Sequence, residues 1–232
     1  IVRNGMTGAT GNIYCGLHEY ADMAFVLHLL RADDEFVDVG ANVGTYTILA
    51  SGVCGARTLA IEPDPLTIRD LNANVTANRL QNLVETAQTA VGTGSGTIQF
   101  TKGLDTINKV APAGSDNVQS VPITSLDDLL ANRAPTLIKM DVEGYETEVL
   151  LGAVKTLGNP SLVAIEIETA DPQGIAILEQ AGFTRAGYDP VKKVLIDPSQ
   201  STGSNALFVR NRAAIIARLN AAPVRTYRGQ NI

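Results

Sequence analysis

The chain has 232 residues, 45% of them hydrophobic, and a formal net charge of −6. That length suits one sizeable α/β domain and is short for two, so the expected organisation is a single domain: residues 1–34 as a helical lead-in over the site, 35–210 as the core sheet, 211–232 as a C-terminal helix and tail. An acidic balance with no Lys/Arg cluster argues against nucleic acid as a partner, and no apolar run approaches the roughly 18 residues of a membrane span.

In chain order, Ala21–Leu30 is an apolar, helix-favouring run closed by Asp33 and Asp34. Glu35–Val39 is a short strand that enters a glycine turn, and a helix follows over Tyr46–Ala50. Thr58–Ile61 is a second strand, stopped by Pro63 and Pro65, after which Ile68, Leu71 and Val75 recur at helical spacing. Val84–Ala90 reads as a third strand. Gly92–Gly96 turns the chain into Thr97–Phe100, and 101–117 has no period, which predicts a loop or flap over a site. Ser125 and Asp128 are spaced as a capping box for a short helix to Leu130. Thr136–Met140 is a fourth strand, and Val149, Leu150, Ala153 and Leu157 form one helical face. Leu162–Ile167 is a fifth strand, and the next helix ends at Gly182. Phe183–Tyr188 and Ala206–Val209 are two last strands, separated by the turn-rich stretch 197–205. Arg212–Leu219 is a terminal helix. Strands alternating with helices predict an α/β fold, a mostly parallel sheet with helices on both faces.

The most informative stretch is Phe36-Val37-Asp38-Val39-Gly40-Ala41-Asn42-Val43-Gly44-Thr45. Gly40 permits a sharp turn and the approach of a ligand without a Cβ in the way. In open α/β sheets ligands sit outside the carboxyl ends of strands, where strand order reverses, and this turn is expected there. It is not the dinucleotide fingerprint G-x-G-x-x-G. A diphosphate needs backbone amides at a helix N-terminus, whereas an amino acid group also carries an ammonium, which Asp38 beside the turn suits. The difference favours S-adenosylmethionine over NAD. Glu62, about 20 residues on and at the end of the second strand, stands where an acid binds ribose hydroxyls, with Asp64 beside it expected to face solvent.

Two further strand ends carry acids. Asp141 and Glu143 follow Lys139 in phase, and Glu166 and Glu168 are in phase with each other. Carboxylates in apolar strands are costly unless paired or used, and Lys139 can neutralise one of them. A divalent metal on these acids is the less favoured reading, and the expectation is that no metal is bound.

FVDVGANVGTYT (36–47), AIEPDP (60–65) and LIKMDVEGYETEVLLGA (137–153), with GLHEYADMAFVLHLL (16–30) before them, together resemble the FkbM-type family of S-adenosylmethionine-dependent methyltransferases. The resemblance covers roughly residues 12–170, and the K-x-D-x-E-G run at 139–144 is its more specific element. It implies a class I methyltransferase (Rossmann-like) fold with a seven-stranded sheet whose last strand is antiparallel. It also implies O-methylation of a small molecule, sugar or natural-product hydroxyl. It places the cofactor against Asp38, Gly40, Ala41, Asn42, Gly44 and Thr45, the ribose on Glu62 beside Pro63, and the adenine near Ala90 and Val91. Asp141 and Glu143 stand beside the methyl group, and Glu19 and Tyr20 close over the cofactor from the N-terminal segment.

An alcohol must lose its proton as it attacks, and the base expected is Asp141 or Glu143, with His18 as the competing candidate because imidazole titrates near neutral pH. His28 and Tyr46 read as packing residues. Cys15 and Cys54 form neither a disulfide framework nor a zinc site, and with no visible signal peptide they point to a reducing, cytoplasmic setting. The chain opens on Ile1 rather than Met, which leaves room for a lost leader. A homo-oligomer is equally compatible. Two rival functions remain on the residues alone: an NAD-type oxidoreductase on a similar fold, and a non-catalytic module that keeps the cofactor pocket.

Overall fold

A computed structural model describes residues 16–103, 108–112, 114–227 and 230–231. Cys15 and part of the 101–117 loop lie outside them. Helix α1 (Tyr20–Leu29) leads into β1 (Glu35–Val39), a short helix α2 (Thr45–Ile48) extended by a wider turn over Leu49–Val53, and β2 (Arg57–Ile61). Then come α3 (Pro65–Ala77), β3 (Val84–Ala87), β4 (Ala90–Gly92), β5 (Gly96–Thr101), β6 (Val118–Ser125), α4 (Leu126–Leu129) and β7 (Leu137–Met140). The second half holds α5 (Glu146–Leu151), α6 (Val154–Gly158), β8 (Ala164–Ile167), α7 (Pro172–Gln180), β9 (Thr184–Asp189), β10 (Val194–Ile196), β11 (Ala206–Val209) and α8 (Arg212–Asn220). A small two-stranded pair, β12 (Thr226–Tyr227) with β13 (Gln230–Asn231), follows.

The main sheet has the order β10-β9-β11-β8-β7-β1-β2-β3. β3, β2, β1, β7 and β8 run parallel, and β11 is antiparallel to both β8 and β9. Those are the seven expected strands with the last one reversed. An eighth, β10, is added as a hairpin partner on the outer edge of β9. Strand order reverses between β1 and β7, so the crevice for a ligand lies at their carboxyl ends.

Alternation along the strands sorts the two faces. Val37, Val39, Ile138, Met140, Ile165, Ile167 and Phe208 pack with α5 and α7 in one buried cluster. Phe36, Leu137, Ala164, Leu207 and Val209 pack with α1 and α8 in another. α1 is buried on nearly its whole circumference, which explains a run with no polar stripe. Ile68, Leu71 and Val75 form the predicted inner face of α3.

Three expectations change. Val84–Ala90 is not one strand: it breaks after Ala87, and β4 leaves the main sheet to pair with β6 in a separate sheet of order β4-β6-β5. The aperiodic loop is bounded by that β5–β6 hairpin, and its described part returns to the sheet through the Phe100–Val110 bridge. The helical face at 149–157 belongs to two helices that break at Gly152, where a Cβ would meet the carbonyl oxygen of Gly92 at 1.9 Å. Asp64 does not face solvent. It is buried as the N-cap of α3, accepting from the Leu66 and Thr67 amides at 2.9 Å, with Pro65 in the first helical position. The Ser125–Asp128 capping box forms as expected, with Ser125 Oγ accepting from the Asp128 amide at 3.1 Å. Among the described residues no helix is long and apolar enough to cross a membrane.

Candidate functional site

The carboxyl ends of β1, β2 and β7 open on a cavity of about 260 Å³. After Val39 the chain takes a positive φ of 78° at Gly40, and the amides of Gly40 and Ala41 both donate to Ile61 O, at 3.0 and 2.9 Å. A Cβ on Gly40 would collide with the Asp141 backbone, so the turn requires glycine. Asn42 follows in the left-handed region, and its side chain accepts from the Val43 amide at 2.7 Å.

Glu62 is buried at the cavity wall. Its carboxylate is gripped by two backbone amides, Asn42 N at 3.0 Å and Asp64 N at 2.9 Å. Burial pushes its carboxyl up to about 7, and the two amides only partly offset that.

Beneath the cavity, Asp38, Lys139 and Glu166 stand in one cross-strand row on β1, β7 and β8. All three are buried in a face that is otherwise apolar. Lys139 Nζ donates to Asp141 Oδ2 at 2.9 Å and lies 4.6 Å over the Tyr46 ring. Burial opposes the Lys139 charge, but the Asp141 and Asp38 carboxylates outweigh it and hold the ammonium above its ordinary value. Asp38 accepts from Thr47 Oγ1 at 2.6 Å. Burial raises Asp38, and raises Glu166 well above the carboxylate range. The row is thus a buried network centred on one cation.

At the mouth, Asp141, Glu143 and Glu168 bring carboxylate oxygens within 4.8 Å of one another. Burial and then the neighbouring Asp141 push Glu168 up to about 7, and the same two causes raise Glu143. Glu143 itself has φ of 55° and Gly144 90°, a left-handed pair that turns the loop over the cavity. From the N-terminal side, Tyr46 Oη donates to Glu19 Oε2 at 2.6 Å, tying the 16–19 segment to α2.

Of the residues singled out from sequence, His18, Glu19, Asp38, Gly40, Ala41, Asn42, Thr45, Glu62, Pro63, Ala90, Val91, Asp141 and Glu143 all line this cavity. Gly44 does not. It caps α2 at φ 91°, and its missing Cβ makes room for Leu71 of α3, which would stand 2.5 Å away, so its glycine serves packing. Tyr20 is exposed outside the lining. His28 is a packing residue: it is buried with Nδ1 2.5 Å from Tyr188 Oη. Tyr46 is not packing alone, since it lines the cavity. Glu168, read from sequence only as a strand-end acid, is also a wall residue; sequence reasoning missed Tyr145, and Phe100, Asn108 and Val110, which the β5–β6 hairpin brings over the site. A tyrosine just after a glycine turn is a usable signal for Tyr145. The others depend on strand neighbours and a hairpin distant in sequence.

This sheet order, with its glycine turn and acids at the switch point, is that of the class I methyltransferases. The methyltransferase FkbM domain model matches residues 38–189, and the chain belongs to that family. It is 30% identical over 157 residues to the hexuronic acid methyltransferase AglP of Haloferax volcanii, covering 66% of this chain and 64% of that relative. It is 27% identical over 206 residues to the methyltransferase sdnD of Sordaria araneosa, covering 71% and 79%. An FkbM methyltransferase structure from Methylobacillus flagellatus superposes with a TM-score of 0.52 at 18% identity, covering 78% of this chain and 44% of that one. The chain therefore spans less than two thirds of the length of AglP and of that solved chain.

Proposed function

We propose that this chain binds S-adenosylmethionine in the cavity and transfers its methyl group to a hydroxyl of a small acceptor, a sugar or natural product. The observation that carries the reading is the convergence of three elements on one cavity: the Gly40 turn, the amide-gripped Glu62, and the Asp141–Glu143–Glu168 cluster. The residues present fit the cofactor. Glu62 offers two fixed acceptor oxygens to a ribose diol, Val91 and Phe100 offer apolar surface to a base, and Gly40 leaves its backbone open to the amino acid end. The six acids on the wall, against Lys139 alone, suit a cationic ligand and oppose a dinucleotide diphosphate, which weighs against the oxidoreductase reading.

When bound, S-adenosylmethionine supplies an electrophilic methyl on a sulfonium. The chain's own residues then align the acceptor oxygen with that methyl, an effect worth up to roughly 7–11 kcal/mol. Asp141, oriented by Lys139 and sharing the mouth with Glu143 and Glu168, takes the hydroxyl proton, and His18 at the same wall is the competing base. The acceptor class is supported by AglP, a methyltransferase of hexuronic acids.

Calorimetric titration with S-adenosylmethionine, S-adenosylhomocysteine and NAD, on wild type and Glu62→Ala, tests the reading. Binding of the first two, weakened in the variant, supports it. Binding of NAD instead, or of none, removes it. Cofactor binding with no turnover across a panel of hydroxylated acceptors would leave a non-catalytic binding module.

A further inference from the structure

Beside the cofactor cavity the fold carries a second hollow of similar size, about 260 Å³. It opens between the carboxyl end of β8, strand β9 and the loop that leads into β11. Thr169, Ser201, Ser204 and Asn205 bring hydroxyl and amide groups to its wall, and Arg185 brings a guanidinium. Glu168 lines both hollows, so the groove meets the reaction centre at that side chain. The wall is fixed in place. Asp22 of α1 accepts from the Ser204 and Asn205 amides at 2.7 and 3.3 Å. A Cβ on Gly203 would stand 2.2 Å from Asp22 Oδ1, so the loop sits directly on that carboxylate.

The charges around the groove are unequal. Toward the cavity stand Asp141, Glu143 and Glu168, and Lys139 there is committed to Asp141. Lys109 lines neither hollow, and its charge bears on Glu143. Arg185 is exposed on β9 and makes no side-chain hydrogen bond or ion pair with any other described residue. An uncommitted guanidinium in a wall of hydroxyls and amides matches a ligand with several hydroxyls and one carboxylate.

We propose that this groove is the acceptor subsite and takes a monosaccharide unit bearing a carboxylate. The carboxylate pairs with Arg185 and is held away from the acid cluster, which repels it. The sugar hydroxyls meet Thr169, Ser201 and Ser204, and the ring presents one hydroxyl over Glu168 to the methyl donor. The proposal rests on the methyltransferase reading and adds to it the charge and the seat of the acceptor.

Saturation-transfer NMR titrations with methyl β-D-glucuronide and methyl β-D-glucoside, in the presence of S-adenosylhomocysteine, test it on wild type, Arg185→Gln and Thr169→Val. The expected result is a preference for the glucuronide of about tenfold, the scale of one charge-assisted contact. Arg185→Gln should erase that preference, while Thr169→Val weakens both sugars alike, with the melting temperature and the S-adenosylhomocysteine affinity unchanged in each. No saturable glucuronide binding, or a preference that survives Arg185→Gln, overturns the proposal. Failure of wild type to bind S-adenosylhomocysteine would remove the methyltransferase reading instead, and the two sugar titrations would still decide what the groove holds.

Discussion

A Cβ on Gly40 would stand 1.9 Å from the backbone carbonyl oxygen of Asp141. The glycine turn after β1 and the acid after β7 are therefore in direct backbone contact, although about a hundred residues separate them. The contact follows from the sheet: β1 and β7 are neighbours, and the Asp141 amide extends their ladder by donating to Val39 O at 2.9 Å. One end of the cavity is thus set by a glycine that seats the chemistry-bearing loop, and its other wall by Glu62 one strand over.

Gly40→Ala meets two obstacles at once. A left-handed backbone costs an L-residue roughly 1–2 kcal/mol, and the added methyl forces Asp141 away from β1. At roughly 2–4 °C per kcal/mol for a chain of this length, the φ term alone lowers the melting temperature by about 2–8 °C. Differential scanning calorimetry reads that drop, and S-adenosylhomocysteine affinity should fall with it. An alanine variant as stable as wild type would mean that the turn relaxes freely and does not fix the Asp141 loop.

Glu62 links stability and binding to pH with opposite signs. Its folded carboxyl, raised from 4.5 to about 7, holds a proton more tightly than the unfolded one. The native state therefore loses stability as pH rises through that window. A ribose diol needs the ionised form as acceptor, so S-adenosylmethionine affinity should rise with pH through about 7. Glu62→Gln should flatten the affinity profile and weaken binding by roughly 10–100-fold, the loss expected for hydrogen bonds to a charged group. Calorimetry at three pH values distinguishes this from a merely structural role, in which affinity would not follow the titration.

Tyr46 closes the site from the other side. Its hydroxyl donates to Glu19 at 2.6 Å, and Glu19 belongs to the segment leading into α1. Tyr46→Phe keeps the ring under Lys139 and removes only that bond. Cofactor release should speed up by roughly tenfold, the scale of one hydrogen bond to a carboxylate. Stopped-flow measurement of the off-rate tests it, and an unchanged rate would mean that the 16–19 segment does not hold the ligand in.

What was legible in the sequence was local chemistry. Gly40 and Glu62 announce themselves by residue type beside an apolar run, and the alternation of Lys139 with Asp141 already placed them together. Residues whose roles depend on a distant partner were not legible. Gly44 looked like a second ligand-facing glycine, but Leu71 of α3 is what it makes room for. Glu168 could be read as a strand-end acid, but its meeting with Asp141 and Glu143 follows from β8 lying beside β7, with its amide donating to Met140 O at 3.0 Å, and no spacing within 160–170 encodes that register. The break of Val84–Ala90 is equally non-local, since Ala90 leaves the main sheet only because Ile123 on β6 pairs with it. Asp64 was the readable miss: an acid directly before a proline that opens a helix carries its capping role in the sequence.

The carboxylate cluster should appear in the pH dependence of turnover. Burial, and then Asp141, hold Glu168 at about 7, while Lys139 orients Asp141 from below. Because the acids interact, the titration step at about 7 belongs to the cluster and is felt by all its members. Above it the cluster has lost its proton and can accept one from the acceptor hydroxyl, so kcat should climb with pH and level off beyond about 7. Asp141→Asn should lower kcat by about 10²–10⁴, the usual contribution of a positioned base, while S-adenosylhomocysteine still binds. Glu168→Gln should remove the rising limb, because the carboxyl that burial and Asp141 raise to about 7 is then gone. The limb is the discriminating readout: a structural role for Glu168 would lower the rate at every pH and leave the limb where it was. Full turnover in Asp141→Asn would move the base elsewhere, and His18→Ala, measured across the same pH range, would then show whether the imidazole takes the proton.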